Sequence, residues 1–391
     1  MKSLTMLNQE RILTGDHFQS GNEAIGEGAL AAGLNGYFGY PITPSTSIME
    51  HIAKRLPYIE GHNVFLQCED EIASITAVIG CSWTRQKSMT VTSGPGFSLM
   101  QEGIGLGSFT ETPLVLVNVM RGGPSTGLPT FPAQQELMQA HFGSHGDYYI
   151  PTFAPSSVQE CFDLTVEAFN TAEALRTPVF VLSDQVLSTL KERYTIPDKT
   201  EFEIVNRSKI GEGEIKWKNE RISSNLVPPM NCFGEETKSF STGLSHDETG
   251  HIDLSSNTYD KLLTRLKAKI KSYEHLLPQP EKYKTDDAEL IIIAYGSTSR
   301  SAKLAIQNAR KEGMKVGLFR PRTIWPFPQS QMNETIGDTA VLTVEMSKGQ
   351  LIWPVERFLK REVHHLAYAR GSIPPPSLIK KKIEGIIKEE L

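Results

Sequence analysis

The chain of 391 residues reads as an α/β protein of two units, each built on a mostly parallel sheet, and three observations carry that reading. From Gly21 to Leu190, short apolar runs alternate with segments whose apolar residues recur at helical spacing. The alternation stops near Tyr194, and up to about Ser256 the chain is rich in charged residues, Ser, Gly and Pro. It resumes at Leu290-Ile291-Ile292-Ile293-Ala294-Tyr295-Gly296, a buried-strand run that ends in glycine.

In the first unit, strands are expected at Tyr37 to Tyr40, Val64 to Gln67, Met89 to Thr92, Leu114 to Val119 and Val179 to Ser183. Continuous apolar runs of this length suit parallel strands covered on both faces. Helices are expected between them at Ala24 to Leu34, Ile72 to Trp83, Phe97 to Thr110 and Ser156 to Leu175. The irregular connection that follows is either functional or wraps a neighbour, because structureless loops beyond roughly 12 to 15 residues are uncommon in compact domains. Tyr259 to Tyr273 reads as one basic amphipathic helix whose lysines mark a solvated face. The second unit adds a helix at Ser301 to Lys311 and strands at Lys315 to Phe319 and Val341 to Val344. Pro374 to Pro376 break the chain before a last amphipathic helix, Ser377 to Glu390, with Ser377 as its N-cap.

Composition narrows the function classes. A formal net charge of −5 offers no basic field to a phosphate backbone, so neither nucleic acid nor an acidic membrane is an expected partner. Met1 to Ser20 lacks an apolar run of signal-peptide length, and nowhere do about 18 consecutive apolar residues suggest a span, so a cytoplasmic chain is expected. Cys68, Cys81, Cys161 and Cys232 are scattered with no Cys-x-x-Cys pair, the pattern of small buried hydrophobes and not of an iron–sulfur or metal site. His141 and His145 stand four apart, but Gly143 and Gly146 lie among them and no third ligand is suggested, so a turn is expected there.

Four segments carry candidate chemistry. In Tyr40-Pro41-Ile42-Thr43-Pro44 each proline holds the residue before it extended, and Pro44 suits a first helical position with Thr43 as N-cap. A hydroxyl there serves equally to cap the helix or to meet a carboxylate. Glu69-Asp70-Glu71 opens a small-residue helix at a strand end, where desolvation of Glu71 would favour the neutral acid; the residues alone do not choose among the three. Thr92-Ser93-Gly94-Pro95-Gly96 is a strand–turn–helix connection with bare backbone, a weak signal by itself. Arg121 closes a strand and enters the Gly- and Pro-rich loop 122–132, where its fork can grip a carboxylate or join a surface ion pair. In the second unit Arg320, Arg322 and Glu345 sit at strand ends, facing a partner or forming ion pairs.

Together these segments resemble the α subunit of the 2-oxoacid:ferredoxin oxidoreductases, and the resemblance runs through most of the chain. It is carried by Gly21-Asn22-Glu23-Ala24-Ile25, Tyr40 to Ser45, Ser93 to Gly96, Arg121 to Thr130, His145-Gly146-Asp147-Tyr148, Thr177-Pro178-Val179, Gly243 to Glu248 and Trp325-Pro326-Phe327-Pro328. The resemblance implies a pyrimidine-binding thiamine-diphosphate-type domain over 1–195, an irregular connection with one helix over 196–284, and a transketolase C-terminal-like domain over 285–391. It implies Glu71 as the cofactor-activating acid, with Glu69 as rival, because Glu-Ile-Ala-Ser-Ile-Thr-Ala places Glu71 before the small-residue helix. Such an acid donates a hydrogen bond to N1′ of the cofactor's aminopyrimidine. The resemblance places Thr43 and Arg121, with Ser125 and Thr126 of the following loop, at the substrate, and Ser93, Gly94, Pro95 and Gly96 at the cofactor.

The Gly-Asp-Gly turn and Asn-rich segment that hold magnesium diphosphate are absent. A β subunit carrying that site and an iron–sulfur cluster is therefore expected, in a dimer of α–β heterodimers. The implied reaction is oxidative decarboxylation of a 2-oxoacid with coenzyme A, giving acyl-CoA and CO2 and reducing ferredoxin. Gly-Gly-Pro-Ser-Thr-Gly-Leu-Pro-Thr looks more like the 2-oxoglutarate enzymes, with branched-chain 2-oxoacids and pyruvate as alternatives. Other classes in competition are a nucleotide-binding scaffold and a complete one-chain thiamine decarboxylase.

Overall fold

The computed structural model describes residues 12–198, 201–235 and 238–390; residues 1–11, at the start of the stretch Met1 to Ser20, lie outside them. The strands in chain order are β1 (Gly15–Ser20), β2 (Gly36–Gly39), β3 (Val64–Gln67), β4 (Ser88–Thr92), β5 (Leu114–Met120), β6 (Thr152–Phe153), β7 (Pro178–Asp184) and β8 (Lys191–Ile196). They continue as β9 (Lys216–Trp217), β10 (Glu220–Arg221), β11 (Glu281–Tyr283), β12 (Leu290–Ile293), β13 (Val316–Arg320), β14 (Thr323–Trp325), β15 (Ala340–Glu345) and β16 (His364–Ala367).

The larger sheet has seven strands in the order β14-β6-β7-β5-β4-β2-β3, parallel except for β14 at one edge. Its centre is β5 and β7, in register from Leu114 against Pro178 to Met120 against Asp184, and every residue of both strands is buried. Helices cover both faces, and the alternation of the strand sorts the side chains between them. Val115, Val117 and Val119 pack with the helices Gly21–Ala31 and Val158–Leu175. Leu114, Leu116 and Met120 face the helices Glu71–Ser82 and Gln101–Phe109.

The smaller sheet has the order β11-β13-β12-β15-β16, parallel except for β11. Strand β12 shows why its sequence is apolar throughout. Ile291 and Ile293 enter a core shared with Leu116, Phe180 and Phe97 of the larger sheet's side, whereas Leu290 and Ile292 pack with Ala302, Ile306, Ile379 and Ile383. The two larger sheets are therefore joined by a common core, and β1 with β8 and β9 with β10 form two further antiparallel pairs.

Four expectations need correction. The strand β14 lies in the second unit by sequence but adds to the first sheet, antiparallel to β6, and β11 lies in the connection but belongs to the second sheet. The connection is mostly irregular, as expected, and wraps a neighbour. It folds over the first unit, with Trp217, Met230 and Cys232 fully buried and Arg207 bonded to Glu173 (Nε to Oε2, 2.9 Å) and to the Ser82 carbonyl (2.8 Å). The helix expected at Phe97 to Thr110 is split into Pro95–Leu99 and Gln101–Phe109. In the helix Ser256–Ser272 the lysines do not share one solvated face: Lys269 is 2% exposed and donates to Glu111 (2.7 Å) and to the Arg176 carbonyl (2.9 Å). Burial raises the Glu111 carboxyl, but Lys269, Arg265 and Arg176 outweigh it and hold it well below the usual range. The last helix, Pro376–Glu390, already includes Ser377, so Ser377 is not its N-cap.

Arg320 lies in β13, buried, and bridges Glu160 of the helix Val158–Leu175 (2.6 Å) and Glu281 of β11 (2.6 Å), with Arg322 also on Glu160 (3.1 Å). Glu345 is buried as well and accepts from the main chain of Gln350, Leu351 and Ile352 and from His365. Both are internal ion-pair and hydrogen-bond centres. Among the described residues no helix is long and apolar enough to cross a membrane, and no group of His, Cys, Asp or Glu is arranged to hold a metal. His141 instead stacks on Trp325, ring centroids 4.1 Å apart, and burial lowers its imidazole to about 4.

Candidate active site

The four sequence segments meet at one end of the larger sheet, beyond the carboxyl ends of β2, β3, β4 and β5, where open parallel sheets place their ligands. The three acids after β3 take three different environments. Asp70 is the N-cap, its carboxylate accepting the Ala73 N–H at 2.7 Å; Glu69 points to solvent; Glu71 begins the helix and is 4% exposed. Desolvation raises the Glu71 carboxyl, the Asp70 charge adds to the shift, and Arg121 opposes it.

The turn after β4 fits around that carboxyl. Gly94 has φ +51, a region that L side chains rarely adopt, and a Cβ there would lie 3.1 Å from Arg121 Nε. A Cβ on Gly96 would come within 2.3 Å of Glu71 Oε1 and 2.2 Å of Thr92 Oγ1. The bare backbone is thus required by what stands next to it. Gly96→Ala should force Glu71 or the turn to move, cost about 1–3 kcal/mol of stability as overpacking does, and lower turnover more than a surface Gly→Ala such as Gly80→Ala, as thermal melts and assays of the two variants would show.

Arg121 follows β5 directly and is 4% exposed. Its Nη1 donates to the Thr43 carbonyl at 2.5 Å, while Nε is buried with no partner. Burial lowers the guanidinium, and Glu136 and Glu71 raise it. Thr43 itself is exposed and does not cap a helix. The chain from Ile42 to Ser45 forms a turn, closed by the Ser45 N–H and hydroxyl on the Ile42 carbonyl (2.9 and 2.8 Å), and the helix Thr46–Arg55 begins only after it. Asn22 anchors this turn from the helix Gly21–Ala31, donating to the Pro44 carbonyl (2.9 Å) and Ser47 Oγ (2.8 Å).

The structure therefore brings Thr43, Glu71, Gly94, Gly96 and Arg121 together. Ser93 is fully buried with its hydroxyl unpartnered, Pro95 starts the short helix, and Ser125 and Thr126 are exposed at the tip of the loop. The loop's return is tied to the second unit: Gln134 donates to the Tyr295 carbonyl (2.9 Å), and Gln350 reaches the Gln135 carbonyl (2.6 Å) and the Met138 N–H (3.0 Å). Sequence reasoning missed Glu136 and Asn118 behind Arg121. Asn118 had a visible signal, one amide inside the apolar run Leu114–Met120; Glu136 had none, since an acid before a helix usually caps it.

Two family models match the chain: pyruvate flavodoxin/ferredoxin oxidoreductase, thiamine diP-binding, over residues 27–264, and pyruvate:ferredoxin oxidoreductase core domain II over residues 288–374. The 2-oxoglutarate synthase subunit KorA of Methanothermobacter marburgensis is 45% identical over 379 residues, covering 96% of this chain and 100% of that one. A solved 2-oxoglutarate:ferredoxin oxidoreductase from Magnetococcus marinus, with 2-oxoglutarate, coenzyme A and succinyl-CoA bound, superposes with a TM-score of 0.89 at 33% identity. It is matched over 95% of this chain and 65% of its own, so this chain spans about two thirds of its length. A split-gene transketolase, at a TM-score of 0.54 and 11% identity over 94% of this chain and 98% of its own, shares the fold alone. With a family model over more than half of its length and a relative matched from end to end, the chain belongs to the 2-oxoacid:ferredoxin oxidoreductases, among their thiamine-binding α subunits.

Proposed function

We propose that the chain is the α subunit of a thiamine-diphosphate-dependent 2-oxoglutarate:ferredoxin oxidoreductase, converting 2-oxoglutarate and coenzyme A to succinyl-CoA and CO2 while reducing ferredoxin. It acts in the cytoplasm with a β subunit that carries the diphosphate and magnesium site and an iron–sulfur cluster, as a dimer of α–β heterodimers. The observation that carries this reading is the meeting of a buried carboxyl, Glu71, with a bare glycine turn and a buried arginine whose Nε is unpartnered.

These residues fit thiamine diphosphate on the pyrimidine side. Thr92 Oγ1, Ser93 Oγ and Arg121 Nε are buried without partners, an arrangement that costs free energy unless a polar ligand completes it. Burial raises the Glu71 carboxyl and so favours its protonated form, the form that can donate to a pyrimidine nitrogen. When bound, thiamine diphosphate supplies the nucleophilic carbon and the electron sink of the decarboxylation. Gly94 and Gly96 let the main chain close against Arg121 and Glu71, where a Cβ would not fit. The Arg121 fork and the exposed Thr43 hydroxyl bind and orient the 1-carboxylate of the 2-oxoacid, and Ser125 and Thr126 of the loop meet its distal end. The loop 122–132, held by Gln134 and Gln350, limits water at the reacting carbon.

The test is viologen reduction, with coenzyme A present, by the complex recovered on this chain, comparing 2-oxoglutarate, 2-oxoisovalerate and pyruvate. Preference for 2-oxoglutarate is expected. Preference for another acid would move the substrate within the class, and no reduction by a complex lacking thiamine and iron would replace the reaction by the scaffold reading.

A further inference from the structure

Glu136 has no part in the contacts assigned so far, yet it stands directly behind Arg121. Its side chain is almost wholly enclosed, 6% exposed, at the start of the short helix Leu137–Phe142. Oε2 accepts from Asn118 Nδ2 at 2.7 Å. Among the described residues no cation comes within ion-pair distance of it. A buried carboxylate with neutral donors only is costly to ionise.

The surroundings define the charge problem. Arg121 feels two carboxyls, Glu136 and Glu71. From the second unit the buried Tyr295 also feels the charges of Glu136, Asp184 and Glu345. A 2-oxoacid brings a further carboxylate to the same guanidinium. With Glu71 in its neutral form, an ionised Glu136 and the substrate carboxylate would still compete for one buried guanidinium, so Glu136 too is favoured as the neutral acid when substrate is bound.

We propose that Glu136 is the positioning residue for the substrate carboxylate: substrate binding draws one proton from solvent onto Glu136, which frees the charge of Arg121 for the incoming anion. The inference rests on the substrate role proposed above for Arg121. Burial pushes the Glu136 carboxyl up to about 7, while the hydrogen bond from Asn118 and the charge of Arg121 oppose the shift. The sign follows from linkage. Below that pH Glu136 is already neutral and KM is flat; above it the proton must be taken up with the substrate, and KM rises by up to about tenfold per pH unit.

The experiment uses the intact complex. KM and kcat for 2-oxoglutarate are measured between about pH 6 and 9 for the native protein and for Glu136→Gln, which keeps the shape and the acceptor oxygen but cannot ionise. The native KM is expected to climb above neutrality, and the variant to lose that climb while the kcat profile keeps its shape. In parallel, calorimetry of glutarate binding in two buffers of different ionisation heat reads proton uptake directly, approaching one proton near pH 8 in the native complex. A native KM flat across this range with no proton uptake, or a Glu136→Gln variant that retains the native slope, overturns the proposal; the calorimetry decides even if the variant does not fold. Failure of the complex to reduce viologen with any 2-oxoacid is a separate result and removes the proposed reaction instead.

Discussion

Arg121→Ala should raise the KM for the 2-oxoacid by roughly 10²- to 10³-fold while the complex still assembles. Truncating one member of a buried, hydrogen-bonded charge pair costs about 3–5 kcal/mol, and each ~1.4 kcal/mol is a factor of ten in affinity. Arg121 has the setting in which such a loss is fully felt: it is buried, its Nη1 is spent on the Thr43 carbonyl, and its Nε waits without a partner. Arg121→Lys should recover only part of the loss, since a point charge replaces a planar fork. Steady-state kinetics with viologen as acceptor, beside gel filtration of the complex, would read both effects. A normal KM in an assembled Arg121→Ala complex would remove the arginine from substrate binding.

Glu71→Gln should lower kcat by about 10²–10⁴-fold, the range expected when a positioned acid–base group is lost, with thiamine still retained. Gln keeps the volume beside Gly96 but cannot hold and return a proton at that atom. Glu69→Gln, on an exposed side chain, should change turnover by less than about twofold, because surface substitutions seldom disturb a buried site. Burial raises the Glu71 carboxyl, so its neutral form persists to higher pH than an ordinary glutamic acid and is lost as pH rises through that titration. The kcat of the native complex should fall on that same alkaline side. Thiamine content of the purified variants separates a catalytic loss from a binding loss. Full turnover in Glu71→Gln together with loss in Glu69→Gln would transfer the role to Glu69.

Much of this was legible because local pattern and tertiary setting agree. β5 and β7 are apolar throughout, and only a strand covered on both faces tolerates that. The edge pieces were not legible. β6 has two residues and β14 three, and their pairing joins Phe153 to Thr323 across a long stretch of chain, so no local period announces it. Thr43 shows the same limit at the site: Pro44 suited a first helical position, but the turn closed by Ser45 delays the helix to Thr46.

The amino-acid sequence by itself determined the class of sheet, the approximate places of the central strands, and the four segments whose order carries the family resemblance. These depend on periodicity and on turn chemistry, both written within a few consecutive residues. Only the tertiary structure decided which of Glu69, Asp70 and Glu71 is buried, because that depends on how the helix Glu71–Ser82 docks against Gly96. It likewise made Gly96 indispensable by placing Thr92 and Glu71 where a Cβ would be, tied the loop 122–132 to the second unit through Gln134 and Gln350, and set Glu136 behind Arg121. Charge and desolvation act through distance in space, and those distances are set by segments far apart in the chain.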